Sequence, residues 1–400
     1  MKKREGRDQI VHATEPTRRS YGTAGGSMAK WCACRSSIVP DGSVVDLECF
    51  PRYPNEIVNG LGTVCGIRRA TPGLLVLLLA LTLAACGGGT SAEDTGQKET
   101  TREAASAGSY VLPGEEVYPE GIAYQEASGD FFAGSTTDGT VFRGNVAREG
   151  KEARVFLEPG SDGRETAVGM KVVPGGRIDP GGVLLIAGGD TGRIFAYEAT
   201  GGRLIQAFDT PESEATFIND VAVAPNGDAY FTDSVRPTLF KVPVSPDGVG
   251  ELEEWLDLQG TPVAYGEGFN LNGIAASEDG RYLITVQSNT GNLYRIDTES
   301  KEVAQIDLGG ETLTNGDGIL LDGQTLYVVR NQQGLIVPIE LSEDFASGQV
   351  GQGFSSSSLR YPTTVARAGD RLLVVNSQFD RRNSGEEPDL PFTVSSVEVP

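Results

Sequence analysis

Two stretches of this 400-residue chain share one pattern of residue types, VAVAPNGDAYFTD at residues 221–233 and IAASEDGRYLITV at residues 274–286. In each, an apolar run leads into a short Asn, Asp and Gly turn, and a second run containing β-branched and aromatic residues follows. Gly, Asn and Asp are favoured in tight turns because they tolerate a positive φ. Both stretches therefore predict a β-hairpin, and apolar segments at residues 238–242 and 292–296 predict a third strand after each.

The same unit recurs along the chain. Its first strand is expected to follow residues 120, 168, 219, 272, 317 and 363. Six units of roughly 45–50 residues, each with three or four short strands, are typical of a β-propeller. We therefore predict an all-β fold with one six-bladed β-propeller at residues 109–400. The last unit lacks a fourth strand, and residues 109–112 are expected to supply it and so close the ring.

Composition excludes several classes of function. Asp and Glu number 55 against 33 Lys and Arg, so the net charge is −22, which argues against binding to nucleic acid or to an anionic membrane surface. The one histidine is His12, and all five cysteines lie within the first 86 residues. A Ser–His–Asp triad, a Cys–His pair and a histidine-ligated zinc are therefore excluded from the propeller, and any chemistry there must use oxygen atoms.

The segment before the repeats has the features of an export signal. A basic pair at residues 68–69 precedes an apolar run that ends in LAAC at residues 83–86, and this run is too short to span a bilayer. The end of the run resembles the bacterial lipobox, which implies cleavage before Cys86 and attachment of lipid to its sulfur. We interpret the chain as an over-called or disordered pre-region (1–63), a lipoprotein signal (64–86), a disordered tether (87–108) and the propeller.

The residues that precede the six first strands form a column at one end of the propeller axis. They are Glu120, Val168, Asn219, Asn272, Asp317 and Thr363. Four of the six carry carboxylate or amide oxygens, the ligands that hard divalent cations prefer. Turn formation is the alternative interpretation, since Asn and Asp are common in turns, but it does not account for Glu120. Two like charges in a narrow channel also favour a neutralising cation.

Four short motifs in this column carry a resemblance to a known family. They are YPEG at residues 118–121, FIND at 217–220, NGI at 272–274 and GDGI at 316–319. The organisation of residues 109–400 resembles the senescence-marker-protein, gluconolactonase and luciferin-regenerating-enzyme family. The resemblance implies that Glu120, Asn272 and Asp317 bind a divalent cation and that Asn219 is a further ligand or a substrate contact. It also implies that Asp317 is the general base.

One position departs from the pattern of that family. Its sugar-lactone members carry an arginine two residues before the asparagine of the Asn-Asp motif, where this chain has Phe217. A hydroxyl-rich sugar needs hydrogen-bond partners, whereas a phenyl ring offers an apolar wall. Phe217 is therefore expected to contact the substrate, and a more hydrophobic ester or lactone becomes the expected substrate.

Three functions are compatible with these observations. The first is a metal-dependent hydrolase of lactones or related esters, with calcium as the expected cation and zinc, magnesium or manganese as alternatives. The second is a non-catalytic binding module with a structural cation, because the fold serves both uses. The third is a structural envelope protein without a site. In each case we expect a monomer held by lipid on Cys86 at the extracytoplasmic face of the cell membrane.

The lipobox interpretation predicts the fate of Cys86. Replacing it in Cys86→Ala removes the sulfur that would carry the lipid, so the protein should leave the membrane fraction or accumulate unprocessed. Intact-mass analysis of detergent-extracted protein measures the start of the mature chain directly. An unmodified amino terminus upstream of residue 64 would contradict this interpretation.

Overall fold

The structure, a computed structural model, describes residues 101–213 and 215–400. The predicted pre-region, the export signal and Cys86 lie outside the described residues. The predicted tether is described only from residue 101, and the first two strands, β1 (Arg102–Glu103) and β2 (Ser106–Leu112), begin there. No helix in the described part of the chain combines the length and apolar character that a membrane crossing needs.

The described residues form a six-bladed β-propeller, as predicted. Blades 1 and 2 contain β3 (Pro119–Gln125), β4 (Asp130–Ser135), β5 (Val141–Asn145), β6 (Arg154–Leu157), β7 (Met170–Val173), β8 (Val183–Ala187), β9 (Arg193–Glu198) and β10 (Leu204–Asp209). Blades 3 and 4 contain β11 (Ile218–Val223), β12 (Asp228–Asp233), β13 (Thr238–Ser245), β14 (Gly248–Val249), β15 (Glu253–Asp257), β16 (Leu271–Ala276), β17 (Tyr282–Gln287), β18 (Asn292–Asp297) and β19 (Val303–Gln305).

Blades 5 and 6 complete the ring. They contain β20 (Gly316–Asp322), β21 (Thr325–Arg330), β22 (Leu335–Leu341), β23 (Gly348–Val350), β24 (Phe354–Ser355), β25 (Pro362–Ala368), β26 (Arg371–Asn376) and β27 (Phe392–Glu398). Between β26 and β27 lies the short helix α1 (Phe379–Ser384), and two 3₁₀ turns, Val146–Arg148 and Ser161–Gly163, follow β5 and β6. Neighbouring strands within each blade are antiparallel, and the innermost strand of each blade contacts those of both adjacent blades.

The ring is closed by the N-terminal segment. β2 pairs antiparallel with β27, with Tyr110 opposite Val394 and Leu112 opposite Phe392, so it supplies the fourth strand of blade 6. This confirms the predicted closure, with a strand that begins at Ser106. In addition, β1 pairs in parallel with β24 of blade 5. The segment before blade 1 therefore holds the last two blades, and the outer edges that it covers are no longer open to another chain.

The hydrophobic core is divided among the six interfaces between blades. Six clusters of buried apolar side chains occur among the described residues, one for each pair of neighbouring blades. Alternation along a strand sends successive side chains to opposite faces. In β12, for example, Phe231 packs towards blade 2 and Tyr230 towards blade 4. Both faces of every blade are therefore buried, which explains the nearly continuous apolar runs in the sequence.

Close backbone contact around the axis requires glycine in four blades. A Cβ at Gly121, Gly169 or Gly273 would lie 2.0, 2.5 or 2.4 Å from the carbonyl oxygen of the next column residue, in Val168, Asn219 or Asp317. At Gly318 the nearest atom is the Cα of Thr364, at 2.8 Å. Real Cβ atoms do not approach the backbone this closely, so a side chain at these positions would push neighbouring inner strands apart.

This contact predicts the cost of filling it. Gly121→Ala forces a backbone shift in blade 1 or 2, and overpacking of this kind costs about 1–3 kcal/mol of the free energy of unfolding. Gly248→Ala is the matched control, because no atom lies within 4 Å of a Cβ there. Thermal unfolding followed by circular dichroism should show a lower Tm for Gly121→Ala only. Equal Tm values for the two variants would contradict the tight-axis interpretation.

Candidate functional site

The candidate site is built on irregularities in the inner strands. In five blades the pairing of the first two strands shifts register across the predicted column residue, between Pro119 and Ile122, Ile218 and Val221, Leu271 and Ile274, Gly316 and Ile319, and Pro362 and Val365. A β-bulge bends its strand and re-aims a side chain, and bulges are common next to active sites. Here the bulge sits at Glu120, Asn219, Asn272, Asp317 and Thr363.

The four predicted ligands are all buried. Glu120, Asn219, Asn272 and Asp317 are each no more than 7 % exposed. Burial and then the charge of Asp317 raise the pKa of Glu120, and the nearby side chain of Asn272 acts to lower the pKa of Asp317. The structure therefore brings Glu120, Asn272 and Asp317 to one end of the axis, where Asn219 joins them from blade 3. We call the six column residues at this end the ring of the site.

Three of these side chains each have a buried oxygen without a hydrogen-bond partner. These oxygens are Glu120 Oε2, Asn219 Oδ1 and Asn272 Oδ1. A buried polar atom without a partner destabilises the native state by about 1–3 kcal/mol, so such atoms mark places where an ion or water is expected. Since all three come from predicted ligands, the donor set fits a cation that binds oxygen.

Two of the three unpartnered oxygens belong to side chains that are held by their other polar atom. Asn219 donates from Nδ2 to Ser234 Oγ at 2.8 Å, which leaves its Oδ1 free. The Thr364 hydroxyl donates to Glu120 Oε1 at 3.4 Å, and Oε2 is the oxygen left over. Ser234 Oγ in turn donates to the Leu271 carbonyl at 2.6 Å, which links blade 3 to blade 4. Such supporting hydrogen bonds preorganise ligand oxygens.

Asp317 is held in a different way. Its Oδ2 accepts a hydrogen bond of 2.8 Å from Asn331 Nδ2. Burial raises the pKa of Asp317 to about 7, hydrogen bonds from Asn331 and Asn272 act in the opposite direction, and the charge of Asp220 raises it further. Burial also raises the pKa of Glu120 well above its usual range, with the charges of Asp317 and Asp220 adding to the effect.

The two remaining column residues have other roles. Thr363 is fully buried and donates to the Glu120 carbonyl oxygen at 2.9 Å, so it fixes the backbone of a predicted ligand across the junction of blades 6 and 1. Val168 is buried and apolar, and its amide donates to the Ala187 carbonyl within blade 2. The ring is therefore polar on one side and apolar at blade 2.

Sequence reasoning missed Asp220. Its Oδ1 accepts from the Val221 amide at 2.8 Å and its Oδ2 from the Ile274 amide at 3.3 Å. Burial raises the pKa of Asp220, and the charge of Lys171 partly offsets this. A signal was present, because the residue after the column position is glycine in four blades but Asp220 in blade 3 and Thr364 in blade 6. Of these two side chains, Thr364 bonds to Glu120, and Asp220 bonds to the backbone beside the column, at Val221 and Ile274.

Strained backbone marks the rim of the site. Tyr118, Asn315 and Tyr361 have φ values of 40°, 63° and 50°, and each lies two residues before a column residue. A left-handed conformation costs non-glycine residues about 1–3 kcal/mol and tends to occur at functional sites. Burial raises the pKa of Tyr361, and the charges of Asp317 and Asp380 raise it further. The Tyr361 phenol therefore lies within electrostatic reach of Asp317, which the sequence did not reveal.

Phe217 lies beside the ring, as its position two residues before Asn219 implies. Its amide donates to Asp233 Oδ1 at 2.9 Å, and the same carboxylate accepts from Thr216 and from the amides of Val235 and Arg236. The Phe217 ring meets that of Phe269 edge-on, with centroids 5.0 Å apart. The predicted substrate contact therefore has a fixed backbone and an aromatic neighbour.

The site is poor in the side chains that transition metals favour. Within residues 101–213 and 215–400, no group of three or more His, Cys, Asp and Glu side chains could hold a metal ion. The ring instead combines two carboxylates with two amide oxygens. A cavity of about 520 Å³ lies at the opposite end of the inner strands, lined by residues such as Lys171, Val223 and Leu321, so it is not part of this ring.

Comparison with known proteins supports the fold. No protein-family model matches the chain, and no curated protein sequence does. Among solved structures, regucalcin from Agrobacterium tumefaciens, described as a calcium-binding protein, is 18 % identical with a TM-score of 0.51, over 74 % of this chain and 96 % of that one. The Malassezia sympodialis allergen Mala s 1 is 13 % identical with a TM-score of 0.54, over 74 % and 97 %. At these identities the likeness extends to the propeller fold alone.

The raised pKa values predict how a cation changes stability with pH. In chelator-treated protein, Glu120 and Asp317 bind protons more tightly when folded than when unfolded, where carboxyl pKa values are about 4. Their stabilising contribution is complete below pH 4; that of Asp317 is lost as the pH rises through about 7, and that of Glu120 is lost as the pH rises through its own raised pKa. A cation favours the ionised carboxylates, so the rise in Tm that calcium causes should be larger at pH 8 than at pH 5.

Glu120→Gln tests whether this effect arises in the ring. The variant keeps the shape of the side chain but removes one charge, so calcium should raise its Tm less than that of wild type at pH 8. Glu126→Gln, an exposed position just after the same strand, is the control and should respond like wild type. Equal calcium-induced shifts in wild type and Glu120→Gln would remove Glu120 from the site.

Proposed function

We propose that this protein is a metal-dependent hydrolase of lactones or related esters, of the senescence-marker-protein and gluconolactonase type. The observation that carries the proposal is the set of unpartnered oxygens on Glu120, Asn219 and Asn272 beside Asp317, on bulged inner strands around one axis. These three buried oxygens come from three different blades, and a hard cation bound between them would explain why none has a hydrogen-bond partner.

The cation would be held by Glu120, Asn219, Asn272 and Asp317. Two carboxylates supply two negative charges, which matches a divalent ion. The ligand atoms are all oxygens, a set that calcium prefers and that magnesium and manganese also accept, whereas zinc sites usually include His or Cys. The Agrobacterium regucalcin is described as a calcium-binding protein, so calcium is the first cation to test.

Each residue of the ring then has a chemical role. When bound, a divalent cation supplies Lewis-acid chemistry at an ester carbonyl. Asp317 would accept a proton from the attacking water, since a positioned carboxylate within reach of the water can act as a general base. The Asn331 amide holds Asp317 Oδ2 at 2.8 Å and so orients the carboxylate. Phe217 and Asn219 would contact the substrate.

The proposal extends to the place of the protein in the cell. The lipobox at residues 83–86 supports an exported protein held by lipid on Cys86 at the extracytoplasmic face of the cell membrane. We propose a monomer, because closure by β2 and β1 covers the outer edges of blades 5 and 6 within one chain.

Asp317→Asn tests the catalytic role. The variant keeps an oxygen for the cation but cannot accept a proton, and loss of a general base lowers the rate by about 10²- to 10⁴-fold. Asp322→Asn, at the exposed end of the same strand, is the matched control and should keep wild-type kcat/KM. Both are measured on a panel of alkyl, aryl and sugar lactones with calcium present. Unchanged activity in Asp317→Asn would refute this role.

The same panel separates the hydrolase from the binding module. Calcium that raises the Tm of wild-type protein, with no turnover of any lactone or aryl ester, would favour a propeller that binds its ligand without chemistry. Turnover that depends on added calcium and disappears with a chelator would support the hydrolase.

A further inference from the structure

An aromatic pair lies next to the ring in the chain, just before Asn219 and Asn272. Phe217 in blade 3 and Phe269 in blade 4 meet edge-on, with centroids 5.0 Å apart. Phe269 is 43 % exposed, although it lies only three residues before the predicted ligand Asn272. Large apolar side chains are more often buried, so an exposed phenyl ring beside a buried polar site is available to an apolar ligand.

The loop that carries Phe269 is held by several hydrogen bonds. Asn270 is 1 % exposed, and its Nδ2 donates to the carbonyl oxygens of Gly266 and Gly268, both at 3.1 Å, while its Oδ1 accepts from the Gly266 amide at 2.8 Å. The side-chain Nδ2 of Asn289 donates to the backbone carbonyl oxygen of Glu267, and the backbone amide of Asn289 donates to the backbone carbonyl oxygen of Phe269. The exposed ring is thus presented on a fixed backbone, which lowers the entropy lost when a ligand covers it.

Apolar packing continues from this pair towards blade 2, where the buried Val168 belongs to the cluster against which Phe217 packs. The point that a Cβ at Gly189 would occupy lies 3.0 Å from Thr166 Cγ2, 3.2 Å from Val168 Cγ2 and 3.4 Å from Phe217 Cε2. Val168 is the one apolar residue of the column. Phe217 and Phe269 therefore form one wall that is open to a ligand and is backed by the buried Val168. We call these three residues the aromatic wall.

The other side of the ring is polar. Asn331 and Gln332 follow β21 in blade 5, and Tyr361 precedes β25 in blade 6. Burial and the charge of Asp317 raise the pKa of the Tyr361 phenol. Arg382 of α1 reaches across to donate to Thr136 Oγ1 at 2.9 Å, so blades 6 and 1 also present polar groups. A ligand that fits both sides has a polar centre at the ring and an apolar substituent directed towards blades 2 to 4.

We propose that the aromatic wall selects lactones with an extended apolar substituent and that Phe269 is a specificity-determining residue. This inference rests on the proposed hydrolase function for the reaction and on the geometry of the wall for the selectivity. The ester group would lie at Glu120, Asn219, Asn272 and Asp317, and an alkyl or aryl substituent would cover Phe217 and Phe269. Sugar lactones, which carry hydroxyls on that side, would lose hydrogen bonds to water without replacement.

The test is a series of γ-lactones whose unbranched side chain grows from methyl to heptyl, measured with calcium. Each methylene that enters an apolar environment strengthens binding by up to about fourfold, so kcat/KM of wild type should rise along the series, mainly through KM. In Phe269→Ala we expect at least about tenfold loss for the heptyl compound and less than about twofold for the methyl compound. Val155→Ala, 44 % exposed on an outer strand, is the control and should match wild type.

A second measurement separates the wall from the reaction. Lactams with the same side chains resist hydrolysis, and their binding is read from the rise in Tm. Wild-type Tm should rise with chain length, and this dependence should weaken in Phe269→Ala and in Phe217→Arg, which replaces part of the wall by a cation.

The outcomes distinguish the two proposals. Lactam binding that depends on chain length without turnover of any lactone would retain the wall and reject the hydrolase. Turnover with no dependence on chain length, or with the same dependence in wild type and Phe269→Ala, would retain the hydrolase and overturn the wall.

Discussion

The structure depends on the convergence of six inner strands on one axis. Their backbones approach so closely that a Cβ at Gly121 would lie 2.0 Å from the Val168 carbonyl oxygen, and the amide of Gly169 donates to the Asn219 carbonyl at 2.8 Å. This packing fixes the bulges and directs Glu120, Asn219, Asn272 and Asp317 into a space without bulk water. The electrostatic properties of the site, including the raised pKa of Asp317, follow from that burial.

A buried ring of polar groups is unfavourable by itself, so its stability must come from elsewhere in the molecule. Six apolar clusters, one at each junction between blades, supply the hydrophobic contribution to folding. Pairing of β2 with β27 closes the propeller, so each blade packs against a neighbour on both sides. A blade that moved outward would lose packing at two junctions. The backbone strain at Tyr118 and Tyr361 is tolerated within this closed framework, as expected when surrounding structure over-determines a conformation.

The sequence predicted what repeats locally and missed what depends on contacts between blades. The hairpin pattern and the spacing of the six units were sufficient for the propeller, its closure and the column, because each unit carries its own strands and turns. Asp220 was missed because its neighbours, Lys171 and Ile274, come from other blades. Phe269 was missed for the same reason, since its partner Phe217 lies 52 residues away in sequence. Bulges were also absent from the prediction, because register is set by both paired strands.

The charges around the axis fit an ion of charge two. Glu120 and Asp317 both belong to the ring, and each raises the free energy of ionising the other site in the absence of a cation. Asp220 adds a third buried carboxylate, but its two oxygens accept from the Val221 and Ile274 amides and it feels the positive charge of Lys171. Its charge is therefore partly compensated within its own surroundings, although it still contributes to the raised pKa values of Glu120 and Asp317. The charges of the predicted ligands themselves are those of Glu120 and Asp317, which one divalent cation would neutralise, and the amide oxygens of Asn219 and Asn272 would add ligands without adding charge.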